Sequence, residues 1–186
     1  VDSFSNRKDI SYICVQHEQA GAMMADAYSR VGNGFAATMS TSGPGATNLI
    51  TGIACSYFDS IPNIHITGQV NLQEQRGVMP GTSNSRQIGF QETDIVSMVK
   101  PITKFSYRIK NENEIRYILE KAHHISQNGR PGPVLIDIPM NFQRKKIDLK
   151  KQKKFKNINN EYSNKIYDKK IKYLFKKLKS SKRPVI

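Results

Sequence analysis

The sequence predicts an α/β fold: a mostly parallel sheet with helices on both faces. Three observations carry this. Short apolar runs of strand length alternate with longer segments of helical spacing. Glycine- and proline-containing turns separate them. The last run, Val134 to Ile138, reads as a buried strand, and strands alternating with helices indicate a sheet covered on both faces.

The elements follow in order. Ser11 to Val15, with Ile10, Ile13 and Val15, reads as a first buried strand. His17 to Arg30 is rich in Ala and Met and reads as a closely packing helix, ended by Gly32 and Gly34. Phe35 to Thr41 is a second strand. Ser42-Gly43-Pro44-Gly45 turns the chain into a helix over Ala46 to Tyr57, apolar at Leu49, Ile50, Ile53, Ala54 and Tyr57. Asn63 to Thr67 is a third strand, followed by a polar loop of 19 residues from Asn71 to Gly89, long enough to be expected to be functional or mobile. A short helix over Thr93 to Val99, a strand over Ile102 to Tyr107, an amphipathic helix over Asn113 to Ser126 and a buried strand over Val134 to Ile138 complete the pattern.

Charge divides the chain. Residues 1–143 hold 12 Lys/Arg and 12 Asp/Glu, whereas residues 144–186 hold 17 and 3, so the last stretch carries the whole net charge of +14. We therefore expect a folded domain over 1–143, a basic linker over 144–164 too poor in apolar residues to fold alone, and the start of a second domain over 165–186. There Ile171, Leu174, Phe175 and Leu178 have helical spacing, and Arg183 to Ile186 reads as an opening strand. Both ends are expected to be truncated. No apolar run approaches the roughly 20 residues of a membrane helix. The expectation is a cytoplasmic protein without membrane or nucleic-acid partners, the basic tail being solvated rather than a binding surface. Cys14 and Cys55 lie in apolar stretches and are expected to pack as small hydrophobes.

Two features point to chemistry. Glu18 stands where a strand passes into a helix, half-buried, where a carboxylate at least complements the helix dipole. Ser42 to Asn48 stands at the carboxyl end of the next strand, the edge where open parallel sheets bind ligands. As a dinucleotide loop this turn is deficient: Gly43-x-Gly45-x-x-Asn48 lacks the third glycine, and Pro44 removes an N–H from an anion cradle.

Six motifs then occur in order: His17-Glu18-Gln19-Ala20-Gly21-Ala22, Thr41 to Asn48, Asp59-Ser60-Ile61-Pro62, Ile66-Thr67-Gly68-Gln69-Val70, Phe90-Gln91-Glu92-Thr93 and Ile102-Thr103-Lys104. Together they resemble the pyrimidine-binding domain of thiamine diphosphate enzymes of the acetolactate synthase group, over about residues 10 to 143. The resemblance implies that Glu18 hydrogen-bonds the cofactor's aminopyrimidine and so activates it, a role calling for a poorly solvated pocket and a raised pKa. It places Pro44 and Asn48 at the cofactor, and Gln69, Phe90, Gln91 and Lys104 at the substrate, a 2-oxo acid such as pyruvate. His17 is expected to be structural.

The resemblance further implies decarboxylation with carboligation, as in branched-chain amino acid biosynthesis. The long 71–89 loop is closer to relatives that transfer a two-carbon unit to a keto sugar for surface polysaccharides. Mg²⁺ and the diphosphate are expected on a C-terminal domain, because no Gly-Asp-Gly segment occurs in these residues. FAD belongs to a central domain in some members and is left open. No metal-binding residues are assigned here. The site is expected to form between subunits of a homodimer or homotetramer. The competing reading is a non-catalytic α/β module.

Overall fold

The computed structural model describes residues 4, 7–32, 34–156 and 164–184. Four strands, β1 (Ala36–Ser40), β2 (Asn63–Gln69), β3 (Phe105–Arg108) and β4 (Val134–Pro139), form one sheet in the order β1-β2-β4-β3. Every pairing is parallel; Ala36 to Ser40 face Asn63 to Thr67, and Ile64 to Gln69 face Val134 to Pro139. The helices are α1 (Glu18–Val31), α2 (Pro44–Asn48), α3 (Ile50–Asp59), α4 (Ile95–Val99), α5 (Ile115–Gln127), α6 (Met140–Gln143) and α7 (Asn164–Ser180).

Two cores lie against the sheet. One joins Ala22 of α1, Ala46, Leu49 and Ile53 around α2 and α3, Ile95 and Val99 of α4, and Leu135 of β4. The other joins Ile118 and Ala122 of α5 and Phe142 of α6 to Ile64, Val134 and Ile136. Consecutive residues of β4 thus serve opposite cores, as the alternating pleat requires. The strand is apolar at both sets of positions because helices cover both faces, as the sequence predicts.

Helix α1 packs on α3 with no room to spare. A Cβ built on Gly52 would stand 2.4 Å from Cβ of Ala22. One turn later Ser56 donates to Asp26 at 2.7 Å. From Ser56 a buried polar chain runs into the sheet: Asn63 Nδ2 donates to Ser56 Oγ at 2.8 Å, Asn63 Oδ1 meets His65 Nε2 at 2.9 Å, and His65 Nδ1 meets Thr38 Oγ1 at 2.7 Å. All four buried members thereby keep partners in a place where an unmade hydrogen bond would cost about 1–3 kcal/mol.

Three expectations change. Ser11 to Val15 joins no ladder, and Ile13 is 74% exposed. An apolar run becomes a strand only where a neighbouring strand takes its amide and carbonyl groups, and among the described residues none does. Cys14, within this segment, and Cys55, on the outer side of α3, are both exposed rather than packed. The stretch 145–155 docks on α5 despite its composition. Gln152 is buried, accepting from Arg116 N at 2.9 Å and donating to Glu112 O, while Phe155 packs edge-on against Tyr117. The first compact unit accordingly runs to Phe155 and a second begins at Lys156. Within the second unit the expected helix over Tyr167 to Leu178 is present inside α7. Residues 181–184 form no strand; Val185 and Ile186 lie outside the described residues.

His65 gives the fold a pH dependence. Burial pushes its pKa from the usual 6.5 down to about 3, so the folded chain keeps it neutral. Below pH 6.5 the unfolded chain takes up a proton that the folded chain refuses. Its contribution therefore falls by about 1.4 kcal/mol per pH unit on going from 6.5 towards 3, and is flat above 6.5. Urea midpoints at about pH 7 and pH 5 should separate for the wild type by clearly more than for His65→Gln; equal separations would contradict this.

Candidate functional site

The site begins where α1 starts. His17 caps the helix, its Nδ1 accepting from Gln19 N at 3.2 Å, which fixes Glu18 as the first helical residue. Across from it the chain leaves β1 and turns at Gly43, whose φ of 62° is open to glycine and strained for other residues. Side-chain size is limited here too. A Cβ on Gly43 would stand 2.6 Å from Gln91 Cβ, and one on Gly45 would stand 2.7 Å from Thr41 Cγ2 and 3.2 Å from Glu18 Oε1. The two glycines let the turn press between Glu18 and Gln91. Asn48 closes the arrangement: its Nδ2 donates to Glu18 Oε2 at 3.0 Å.

Glu18 Oε2 is thus engaged, while Oε1 faces Gly45 and accepts no hydrogen bond among the described residues. The Asn48 amide, aided by backbone N–H and by His17, holds the carboxyl below its ordinary pKa, against an opposing contribution from burial. This corrects the expected raised value. The carboxylate is only half-buried, and a donor one bond away favours its charged form more than the incomplete loss of water disfavours it.

Phe90 and Gln91 arrive on the segment that follows the long loop. Gln91 adopts the left-handed region at φ 58°, costing roughly 1 kcal/mol for a residue with a Cβ, and lies against Gly43. Phe90 is 84% exposed. Pro44 opens α2 with an exposed ring. Glu18, Pro44, Asn48 and Gln91 are therefore brought to one place, at the carboxyl edge of the sheet.

Residues 1–98 match the family model described as "Thiamine pyrophosphate enzyme, N-terminal TPP binding domain". The chain belongs to this family of thiamine diphosphate enzymes. Among curated relatives, an acetolactate synthase of Arthrospira platensis is 44% identical over 140 residues, 75% of this chain and 22% of that protein. A probable acetolactate synthase large subunit of Methanocaldococcus jannaschii is 43% identical over 143 residues, 77% of this chain and 22% of that protein. The large subunit of Lactococcus lactis is 34% identical over 185 residues, 100% of this chain and 30% of that protein. The chain thus spans less than a third of these relatives' lengths.

A TPP-binding domain needs a place for a flat, nitrogen-rich ring, and the residues present fit one. Glu18 Oε1 offers a free acceptor, and the absent side chains of Gly43 and Gly45 leave the backbone close by. Two other positions do not join this place. Gln69 is 3% exposed, and its amide is occupied: Nε2 donates to Thr93 O at 2.7 Å and Asp137 Oδ2 at 3.2 Å, and Oε1 accepts from Val70 N at 3.0 Å. It ties the end of β2 to its surroundings. Lys104 lies at the opposite edge of the sheet, its N–H bonded to Pro133 O just before β4. Its ammonium donates to Ile125 O and Asn128 O at the end of α5, a cation on the negative end of a helix.

A further buried carboxylate not singled out from the sequence is Asp137, fully buried within β4. It accepts from Thr67 Oγ1 at 2.7 Å and Arg108 Nε at 2.8 Å, while Arg108 also reaches Gln75 and Asp94. Burial raises its pKa and these partners oppose the rise. A carboxylate inside the run Val134 to Ile138 was the available signal. Among the described residues no group of three or more His, Cys, Asp or Glu could hold a metal ion, and no helix is long and apolar enough to cross a membrane.

The Asn48 contact predicts a titration. In Asn48→Ala the Glu18 carboxyl should titrate at higher pH than in the wild type, followed by carbon-13 NMR of the side-chain carboxyl. An unmoved titration would mean that the hydrogen bond does not set its charge.

Proposed function

We propose that this chain is the cofactor-activating module of an enzyme that decarboxylates a 2-oxo acid, pyruvate in the first instance, and joins the remaining two carbons to an acceptor. The observation that carries the reading is the free Glu18 Oε1, held at the glycine turn while Asn48 fixes the other oxygen. Bound thiamine diphosphate supplies the carbanion chemistry and the electron sink. Glu18 would hold a proton at Oε1 against a ring nitrogen, Asn48 would keep the carboxyl oriented, and the turn from Gly43 to Gly45 would admit the ring edge. Phe90 and Gln91 would line the substrate side.

Glu18 works in this role only when water is excluded, so we assign it a covering surface from a second subunit, in a homodimer or homotetramer. An exposed apolar side chain beside Gln91, Phe90 at 84%, supports that cover. We place Mg²⁺ and the diphosphate on residues outside this chain, leave FAD without residues here, and take the setting to be cytoplasmic. A second reading, transfer of the two-carbon unit to a keto sugar, is favoured by one feature: the ordered 71–89 loop beside Phe90 and Gln91.

The test is pyruvate consumption by the full-length protein with thiamine diphosphate and Mg²⁺. Glu18→Gln should lower the rate by roughly 10²-fold or more, the range of a positioned acid–base group. A variant as active as the wild type would remove Glu18 from the mechanism.

A further inference from the structure

The 71–89 loop is a closed structure rather than a trailing connection. It opens on a short helical turn, Leu72–Glu74, in which Asn71 and Glu74 cap one another. Its far end returns to this turn, Gly89 N donating to Glu74 O at 2.8 Å. Gly89 is buried there, and a Cβ would stand 2.9 Å from that same oxygen. Gln75 is 2% exposed and bridges Val70 O and Arg108.

One side chain binds both limbs of the loop. Glu92 Oε1 accepts from Arg76 N at 2.6 Å, sixteen residues earlier, and Oε2 accepts from Ile88 N at 3.0 Å. Both carboxylate oxygens are used, each on a backbone donor, the stronger class of protein hydrogen bond. Between the Gly89 anchor and the Glu92 anchor stand only Phe90 and Gln91. The first is left exposed; the second is held in the left-handed conformation against Gly43.

We propose that Glu92 is a positioning residue, a latch that fixes the 71–89 loop as one wall of the site and through it sets Phe90 and Gln91 for the acceptor substrate. The inference rests on the function proposed above. Glu92 itself touches neither Glu18 nor Asn48. Its removal therefore acts on the wall and on acceptor capture, and leaves the cofactor end of the site intact. Without its carboxylate, Arg76 N and Ile88 N lose their acceptor, the two limbs separate, and Gln91 has less to hold it in a disfavoured conformation.

Two measurements on the full-length protein test this in wild type, Glu92→Ala and Glu92→Gln. Limited trypsin digestion reads the latch directly at Arg76 and Arg86, both exposed within the loop. Cleavage should speed up by about tenfold or more in Glu92→Ala, as expected for losing two hydrogen bonds to a charged group, and by less in Glu92→Gln, which keeps one carbonyl acceptor. With pyruvate as substrate, thiamine diphosphate and Mg²⁺ present, the ratio of carboligation product to carbon dioxide released should fall by a similar factor, the uncaptured two-carbon unit taking a proton and leaving as acetaldehyde, with carbon dioxide release within about threefold of wild type. Unchanged cleavage overturns the latch. Faster cleavage with an unchanged product ratio overturns the acceptor role, as does an equal fall in both products. A wild type that consumes no 2-oxo acid sinks the function proposed above and the acceptor role with it, while the digestion still decides the latch.

Discussion

The structure depends on how closely α1 and α3 approach. Ala22 and Gly52 meet where no further carbon fits, and this contact is the middle of three. Four residues earlier on both segments, Glu18 meets Asn48; four residues later, Asp26 meets Ser56. A spacing of four keeps residues on one helix face, so two helices running side by side meet at successive turns. Leu49 stays in the right-handed helical region between α2 and α3, which keeps Asn48 in phase with Gly52 and Ser56. The apolar contact in the centre therefore sets the distance of the polar contact at the site. A residue larger than glycine at 52 would move the Glu18 carboxylate away from its partner although it lies a full turn from it.

The electrostatics follow from the same geometry. Asn48 is a neutral donor, strong enough to favour the charged carboxyl in a half-buried place. In the function proposed above, a covering surface that removes water would shift the same carboxyl towards its proton-holding form. Asp137 shows the contrasting design. Its carboxylate is wholly buried, yet Arg108 and two further donors hold it, leaving it tied into the sheet.

Much of this was legible in the sequence. The strands β1, β2 and β4 and the helices α1, α3 and α5 announce themselves because both cores impose their spacing on the residues that face them. Pro44 and Asn48 could be placed at the carboxyl edge because they follow β1 directly, whereas Glu18 was put beside them through the family motif and an expected strand that does not form. What was not legible depends on partners remote in sequence. Ser11 to Val15 is apolar enough for a strand but has no neighbouring strand among the described residues. Lys104 belongs to a motif of the family, yet nothing local says that it sits at the amino edge. Gln69 looks available until Thr93 and Asp137 are seen to use its amide. Lys145 to Phe155 reads as solvated because a few side chains, Gln152 and Phe155 above all, make the attachment that composition averages away.

Glu18, at the glycine turn, is proposed as the residue that meets the cofactor's pyrimidine. A crystal structure of the full-length protein with thiamine diphosphate bound tests it most directly. A Glu18 carboxylate oxygen should stand about 2.6–3.2 Å from a ring nitrogen, with Asn48 still bonded to the other oxygen and the covering surface supplied by a second subunit. A pyrimidine ring seated elsewhere, or bonded to a different carboxylate, would contradict it.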